Sequence, residues 1–271
     1  MNILEKFIVA TSGEFAETPK PYGWFHLLCL GLMVIAIVAE CIWGRRLSDK
    51  GVRVVLLLVA ISLILFEVYK QLQFSYDISS GKWEYTWYYF PFQFCSVPMY
   101  VMLLAGLTKG KFQEYLCSFL ATFAVIGGVI TMFYPATVFI GTIGICIQTM
   151  YWHGVLLVMG VLMWVSGKVK FEHKTLLKGA SVFVVVVLLA LGMNALFHYL
   201  GDIEKYSFNM FYISPYENSG LPVLGQLWDA LPYALYLPLY IIGFSAGAYI
   251  VVLLAMLIAK IASSRKTTYK Y

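Results

Sequence analysis

Long apolar runs recur along the chain, separated by short polar stretches. Spanning ~30 Å of hydrocarbon takes about 20 residues of helix. Seven segments meet that length, at roughly 23–43, 53–74, 88–107, 115–134, 143–166, 176–200 and 232–260. Backbone groups cannot go unpaired in lipid, so each run is expected to be a helix. Prolines agree with the boundaries: Pro21 precedes the first run, Pro135 follows the fourth and Pro232 opens the seventh. Pro98 and Pro238 lie inside runs and are expected to kink them. The pattern predicts an all-α integral membrane protein, a seven-transmembrane-helix bundle forming one domain over residues 1–271.

Composition agrees. Hydrophobic residues make up 61% of the 271 and charged ones 12%, with a mean hydropathy of +0.79. A soluble domain is about half apolar and about a quarter charged. The first residues, MNILEKFIVATSGEF, lack a basic start and a clean cleavage site and do not read as a signal peptide.

The charges set a direction. Arg45, Arg46, Lys50 and Arg53, then Lys109 and Lys111, then Lys168, Lys170, Lys174 and Lys178, then Lys260, Arg265, Lys266 and Lys270 all fall on one side. These are 14 of the 19 basic residues, and the positive-inside rule makes that side cytoplasmic. Glu5, Glu14, Glu17, Asp77, Glu84, Asp202, Glu204, Glu217 and Asp229 collect on the other. The amino terminus is thus expected outside and the carboxyl terminus inside. The net charge of +5 reports this orientation and not a nucleic-acid partner. The long outer loop 201–231, rich in aromatics, Pro, Gly and Asn, has the composition of a lid or re-entrant piece. No internal repeat of the kind found in many secondary transporters is visible.

Polar residues inside spans are costly and mark cavities or pathways. His26 lies near the outer end of the first span, and Glu67 and Lys70 near the outer end of the second. In the third, FPFQFCSVPMY (90–100) sets Gln93 and Cys95 about 10 Å deep, counting ~1.5 Å per residue. Gln148 and His153 reach a similar depth in the fifth, and Asn194 and His198 occupy the last outer turns of the sixth. The inner halves are nearly all apolar, Glu40 excepted. This coincidence of depth predicts a polar cavity in the outer half of the bundle.

Each residue also has a plain structural reading. An intramembrane Cys is usually a small hydrophobe. Gln93, Gln148 and Asn194 can join helices, Glu67 and Lys70 can pair locally, and His26 and His198 can be interfacial. Cys29, Cys41, Cys95, Cys117 and Cys146 form no CxxC pair, so neither a zinc site nor a disulfide framework is suggested. A metal site from His26, His153, His198 and Glu67 has no ligand spacing behind it. Cys95 and His153 are worth pairing because a thiol nucleophile needs a base to take its proton.

Trp24-Phe25-His26, FPFQFCS in the third span, IQTMYWHGVLL in the fifth, and Asn194 followed by FNMFYISP together resemble a family. The chain resembles the YwaF-type bacterial integral membrane proteins, which look related to the eukaryotic transmembrane acyltransferase that makes ether-linked phosphatidylethanolamine. The resemblance runs through the whole chain in span order. It implies that Cys95 is an acyl carrier and His153 its base, and that His26, Asn194 and Asn209 match positions kept polar. The chain departs from the pattern at Gln93, where the family has His. Gln hydrogen-bonds but is no base at neutral pH.

The first expectation is therefore a phospholipid acyltransferase-like enzyme in a bacterial plasma membrane. Cys95 would attack a phospholipid or lysophospholipid ester, His153 would act as base and then acid, and Gln93, Asn194 or Asn209 would face the oxyanion. Glu67, Gln148 and His198 would line the substrate cavity. Membrane lipids are the expected partners, and no cofactor is needed. The alternative is a small-solute transporter or substrate-binding protein using the same cavity. A retinal protein is excluded, since the seventh span carries no Lys from Tyr233 to Ala259.

Overall fold

A computed structural model describes residues 1–135, 138–201, 207–218 and 220–268. Asp202, Glu204 and Lys270, used above for orientation, lie outside the described residues. The helices are α1 (Ile3–Thr11), α2 (Trp24–Trp43), α3 (Asp49–Ser75), α4 (Val97–Leu107), α5 (Gly110–Phe119), α6 (Val125–Phe133), α7 (Ile143–Val165), α8 (Lys174–Leu200), α9 (Leu224–Ala230) and α10 (Tyr233–Thr268). A π-helical turn, Leu120–Ala124, fuses α5 and α6 into one span. Strands β1 (Tyr76–Asp77) and β2 (Lys82–Trp83) form a small antiparallel hairpin beyond α3.

Among the described residues, six helices are long and apolar enough to cross a membrane: α2, α3, α5–α6, α7, α8 and α10. They fall where the hydropathy pattern sets them. The expected third span differs. Only its second half is α-helical, as α4; a 3-10 turn covers Trp87–Tyr89, and residues 90–96 after it are irregular. Pro98 explains the start: it occupies the first turn of α4, where its missing N–H costs nothing, so it begins the helix and does not kink it. Pro238 does lie inside α10.

The spans divide into inner and outer members. In the most apolar window of α5–α6 and of α7, 67% and 61% of residues are buried, against 11–28% for α2, α3, α8 and α10. The outer helices turn Leu58, Ile61 and Leu65 of α3 or Val185, Leu188 and Leu196 of α8 outward, as lipid contact requires. The core between them joins Leu56, Phe119, Phe123, Leu156, Phe183 and Tyr236. The π turn frees backbone carbonyls, and the Trp164 indole answers one, donating to Ala121 at 3.0 Å. Gly128 lets α6 lie against α7, since a Cβ there would meet the His153 carbonyl at 2.8 Å.

At one end, Lys168 pairs with Asp49 at 2.8 Å, and Lys178 with Glu114 at 2.7 Å. The other end carries a strap that the hydropathy pattern does not show. Helix α1 opens with a capping box between Asn2 and Glu5. Gln73 and Tyr69 of α3 grip its carbonyls at Ile8 and Thr11. Past α1 the chain pairs with residues 141–143, where Phe15 N donates to Gly141 O and Ile143 N to Gly13 O.

Candidate functional site

Cys95 sits in the irregular stretch immediately before α4. Two backbone carbonyls of this stretch are bonded by side chains of α7 and α4. The Trp152 indole N–H of α7 donates to the Cys95 carbonyl at 2.7 Å. Tyr100 Oη donates back to Pro91 O at 3.0 Å. Non-helical backbone at membrane depth survives only where protein or water satisfies it, and both partners here are protein.

His153 follows Trp152 and is buried. Its Nδ1–H donates to the Thr149 carbonyl at 2.8 Å, one turn back on α7. That bond selects the tautomer with an unprotonated Nε2, the form a general base needs. The Lys70 ammonium interacts electrostatically with both Cys95 and His153.

Glu67, Lys70 and Gln71 share one face of α3. Lys70 Nζ lies 2.9 Å from Glu67 Oε1, and Gln71 Nε2 donates to the same oxygen at 2.6 Å. Gln71 also donates to Tyr89 O at 2.6 Å. Arg53, near the other end of α3, donates to Gly106 O at 2.9 Å. These two bonds fix α3 antiparallel to residues 89–107, which brings Glu67 to the level of Cys95.

The three amides bond the backbone of the outer loop. Gln93 donates to Asn209 O and accepts from Phe211 N, both at 2.9 Å. Asn194 accepts from Met210 N at 2.7 Å and donates to Met210 O at 3.1 Å. Asn209 accepts from Ser214 N at 2.9 Å and donates to Glu217 O at 2.8 Å. Each amide thus clasps the backbone of the outer loop. Above them Tyr236, Tyr233 and Trp228 donate to the carbonyls of Tyr212, Ile213 and Ser214. The described part of loop 201–231 is accordingly a plug: Phe208, Met210, Phe211 and Ile213 are buried. Phe211 and Tyr212 take left-handed backbone at φ +59° and +57°, a conformation bulky residues avoid. Tyr212 is half-buried there, and its hydroxyl interacts with Tyr88 and Cys95. Burial is the main cause raising the Tyr212 phenol above its ordinary range, so it remains a hydrogen-bond donor at neutral pH.

Among the described residues, no direct bond joins His26, Gln148 or His198 to this group. His26 is buried at the foot of α2, where Nδ1 accepts from Tyr22 N and Nε2–H donates to Met132 O, each at 2.8 Å. Nδ1 closes the turn that opens α2, and Nε2 holds α2 to α6. His198 stacks on Tyr216 with ring centroids 3.7 Å apart. Gln148 is buried and accepts from the Thr149 hydroxyl at 3.3 Å. Among the described residues no three His, Cys, Asp or Glu side chains gather closely enough to hold a metal ion. A separate apolar groove of about 610 Å³ opens between α1, α3 and α7, lined by Phe7, Thr11, Ser62, Phe66, Tyr69 and Ile147 among others, and neither Cys95 nor His153 lines it.

Sequence reasoning left Gln71, Trp152 and Tyr212 out of the site. Gln71 was findable, since Glu67, Lys70 and Gln71 stand at i, i+3 and i+4. Trp152 lies inside IQTMYWHGVLL beside His153 without being singled out, and no spacing points to Tyr212.

Fold and site define a multi-pass α-helical membrane protein with a thiol, an imidazole and an ion pair near one level of the bundle. Comparison with family models matches residues 21–261 to the TMEM164 family, and the chain belongs to that family. Membership points to a membrane-embedded, acyltransferase-like protein. This is the acyltransferase side of the resemblance noted above, and the bacterial YwaF assignment gains no support from it. No curated protein and no solved structure matches the chain.

Proposed function

We propose that the protein transfers acyl groups between membrane lipids through a thioester on Cys95. The observation that carries the reading is the Trp152–Cys95 bond, which ties the stretch holding the thiol to the turn of α7 holding His153. His153 Nε2 takes the thiol proton. The Cys95 sulfur attacks the ester carbonyl of a phospholipid, the carbon–oxygen bond breaks, and the imidazolium returns the proton to the leaving lysophospholipid.

Two features assist. Cys95 lies at the amino-terminal end of α4, where the helix dipole favours an anion. The Tyr212 hydroxyl, interacting with Cys95, replaces the amides as donor to the oxyanion. Gln93, Asn194 and Asn209 shape the wall that holds it.

The site faces the outer leaflet if the basic loops face the cytoplasm. The salt bridges of Lys168 and Lys178 gather three of the basic loops at one end of the bundle, in keeping with an outer amino terminus and an inner carboxyl terminus. In this topology α4 and the irregular stretch before it together make the third of seven crossings.

The test uses protein in lipid nanodiscs and a lipid-like electrophilic acyl probe, read by intact mass. Wild type is expected to gain one acyl group, Cys95→Ala none, and His153→Ala to label at least tenfold more slowly. Equal labelling of all three would overturn the reading.

A further inference from the structure

The apolar groove between α1, α3 and α7 takes no part in the site around Cys95. Its depth and its walls say what it holds. Its deepest residue on α3 is Ser62, about 20 Å along the helix from its end at Ser75 at ~1.5 Å per residue, which is inside the hydrocarbon layer. The inner wall closes where the Tyr151 ring packs on Phe66, with centroids 5.0 Å apart, and where Tyr151 Oη lies 2.6 Å from Ser62 Oγ. Helix α1 is the roof. Tyr69 Oη crosses to it and donates to Thr11 O at 3.0 Å. Gly144 permits that crossing, because a Cβ there would collide with the Tyr69 hydroxyl.

The walls offer a polar ligand nothing. No Asp, Glu, Lys, Arg or His lines the groove among the described residues. Its hydroxyl hydrogens are spent inside the protein: Thr11 donates to Phe7 O at 2.8 Å, Ser62 to Val59 O at 2.7 Å, and Tyr69 to Thr11 O. Sites for polar ligands carry a few convergent polar groups, and a polar solute here would lose its hydration uncompensated. The rim is apolar as well. Phe7 of α1, Leu65 of α3 and Ile147 of α7 are exposed around the opening. Helix α1 also exposes Ile3, Leu4 and Val9, so its medium is the acyl boundary of a bilayer and not water. The groove therefore opens on lipid chains.

We infer that this groove is a binding site for one acyl chain of a resident phospholipid, separate from the lipid that reacts at Cys95. Its volume of about 610 Å³ lies within the ~300–1,000 Å³ usual for small-molecule sites. The chain packs against α3 and α7 and beneath α1. Enclosed on three sides, it exchanges more slowly than chains that touch only the exposed face of α8. The inference does not depend on the thioester reading.

The test uses a phosphatidylcholine with a diazirine midway along one acyl chain, diluted into nanodiscs of plain phosphatidylcholine around the full chain. Light-induced crosslinks are mapped by peptide mass spectrometry. Wild type is expected to label residues 62–69 and 143–147 about tenfold more than the exposed Leu188 and Leu196 of α8, a preference of ~1.4 kcal/mol. Ala10→Trp fills the groove from the roof and should abolish that excess while α8 labels as before. Ile147→Trp fills it from α7 and should do the same, so a displaced α1 cannot pass for a filled groove. Excess labelling that survives in both variants would overturn the inference. So would wild-type labelling no greater than that of α8, the result expected if a second copy or a polar solute covers the groove. Equal groove labelling by a phosphatidylcholine with the diazirine in its headgroup would overturn it too, since the occupant would then not be a chain.

Discussion

The indole of Trp152 donates to the carbonyl of Cys95 across 2.7 Å, joining α7 to an irregular segment 57 residues earlier in the chain. Trp152→Phe keeps the ring bulk and removes the donor. The half-buried carbonyl then loses its donor, which costs about 1–3 kcal/mol. The expected outcome is a lower melting temperature in nanodiscs with slower labelling of Cys95. An unchanged melting temperature would show that another group already serves that carbonyl.

Asn194 and Gln93 hold Phe211 and Tyr212 in a left-handed turn that bulky residues resist by about 1–2 kcal/mol each. Removing a clasp releases that strain. Asn194→Ala, which deletes both bonds to Met210, is expected to raise amide exchange in residues 207–218 by tenfold or more while helices α3 and α7 keep their protection. Exchange confined to other segments would contradict the clasp.

Tyr212 provides a pH signature. Its folded-state value is raised mainly by burial, while an unfolded tyrosine titrates near about 10. The contribution to stability is therefore fully present below about pH 10 and declines as pH rises beyond it, because the unfolded chain then sheds a proton that the fold retains. Melting temperatures followed from pH 8 to 11 should fall less steeply for Tyr212→Phe than for wild type. The same variant should acylate about 100-fold more slowly at pH 7, the usual effect of losing one oxyanion donor.

Gly128 faces the His153 carbonyl at 2.8 Å and Leu157 at 2.7 Å from the position a Cβ would take. Gly128→Ala and Gly128→Val should destabilise in that order, by about 1 and 3 kcal/mol as overpacking goes. Both should slow Cys95 labelling by moving α7. A Val variant as stable and as reactive as wild type would mean that α6 and α7 separate freely.

The six long spans were legible because lipid demands long uninterrupted apolar runs, and no other signal competes. The third run misled for a physical reason. Aromatic FPFQF is as apolar as a helix, but hydropathy records transfer energy and not backbone conformation, and here proline and side-chain donors hold an irregular path. Residue counting sets Cys95 and His153 at a similar depth and Glu67 near the outer end of its span, and the bonds from Trp152 to Cys95 and from α3 to residues 89–107 tie these segments together. The partners of Gln93, Asn194 and Asn209 did not, because their bonds go to backbone at residues 209–217, whose positive-φ turn at Phe211 and Tyr212 uses no glycine. Helix α1 was hidden by its nine-residue length, though the Asn2–Glu5 capping box is written in the sequence.

Helix α4 has 11 residues, about 16 Å of rise at ~1.5 Å each, or half of a ~30 Å hydrocarbon layer. Such a segment is a poor candidate to enter the bilayer by itself as the chain emerges from the ribosome. Its partner is α3, bound through Arg53 to Gly106 and through Gln71 to Tyr89. Biogenesis should therefore admit α3 and α4 as one hairpin, and the thiol would reach its depth as a passenger of that joint insertion.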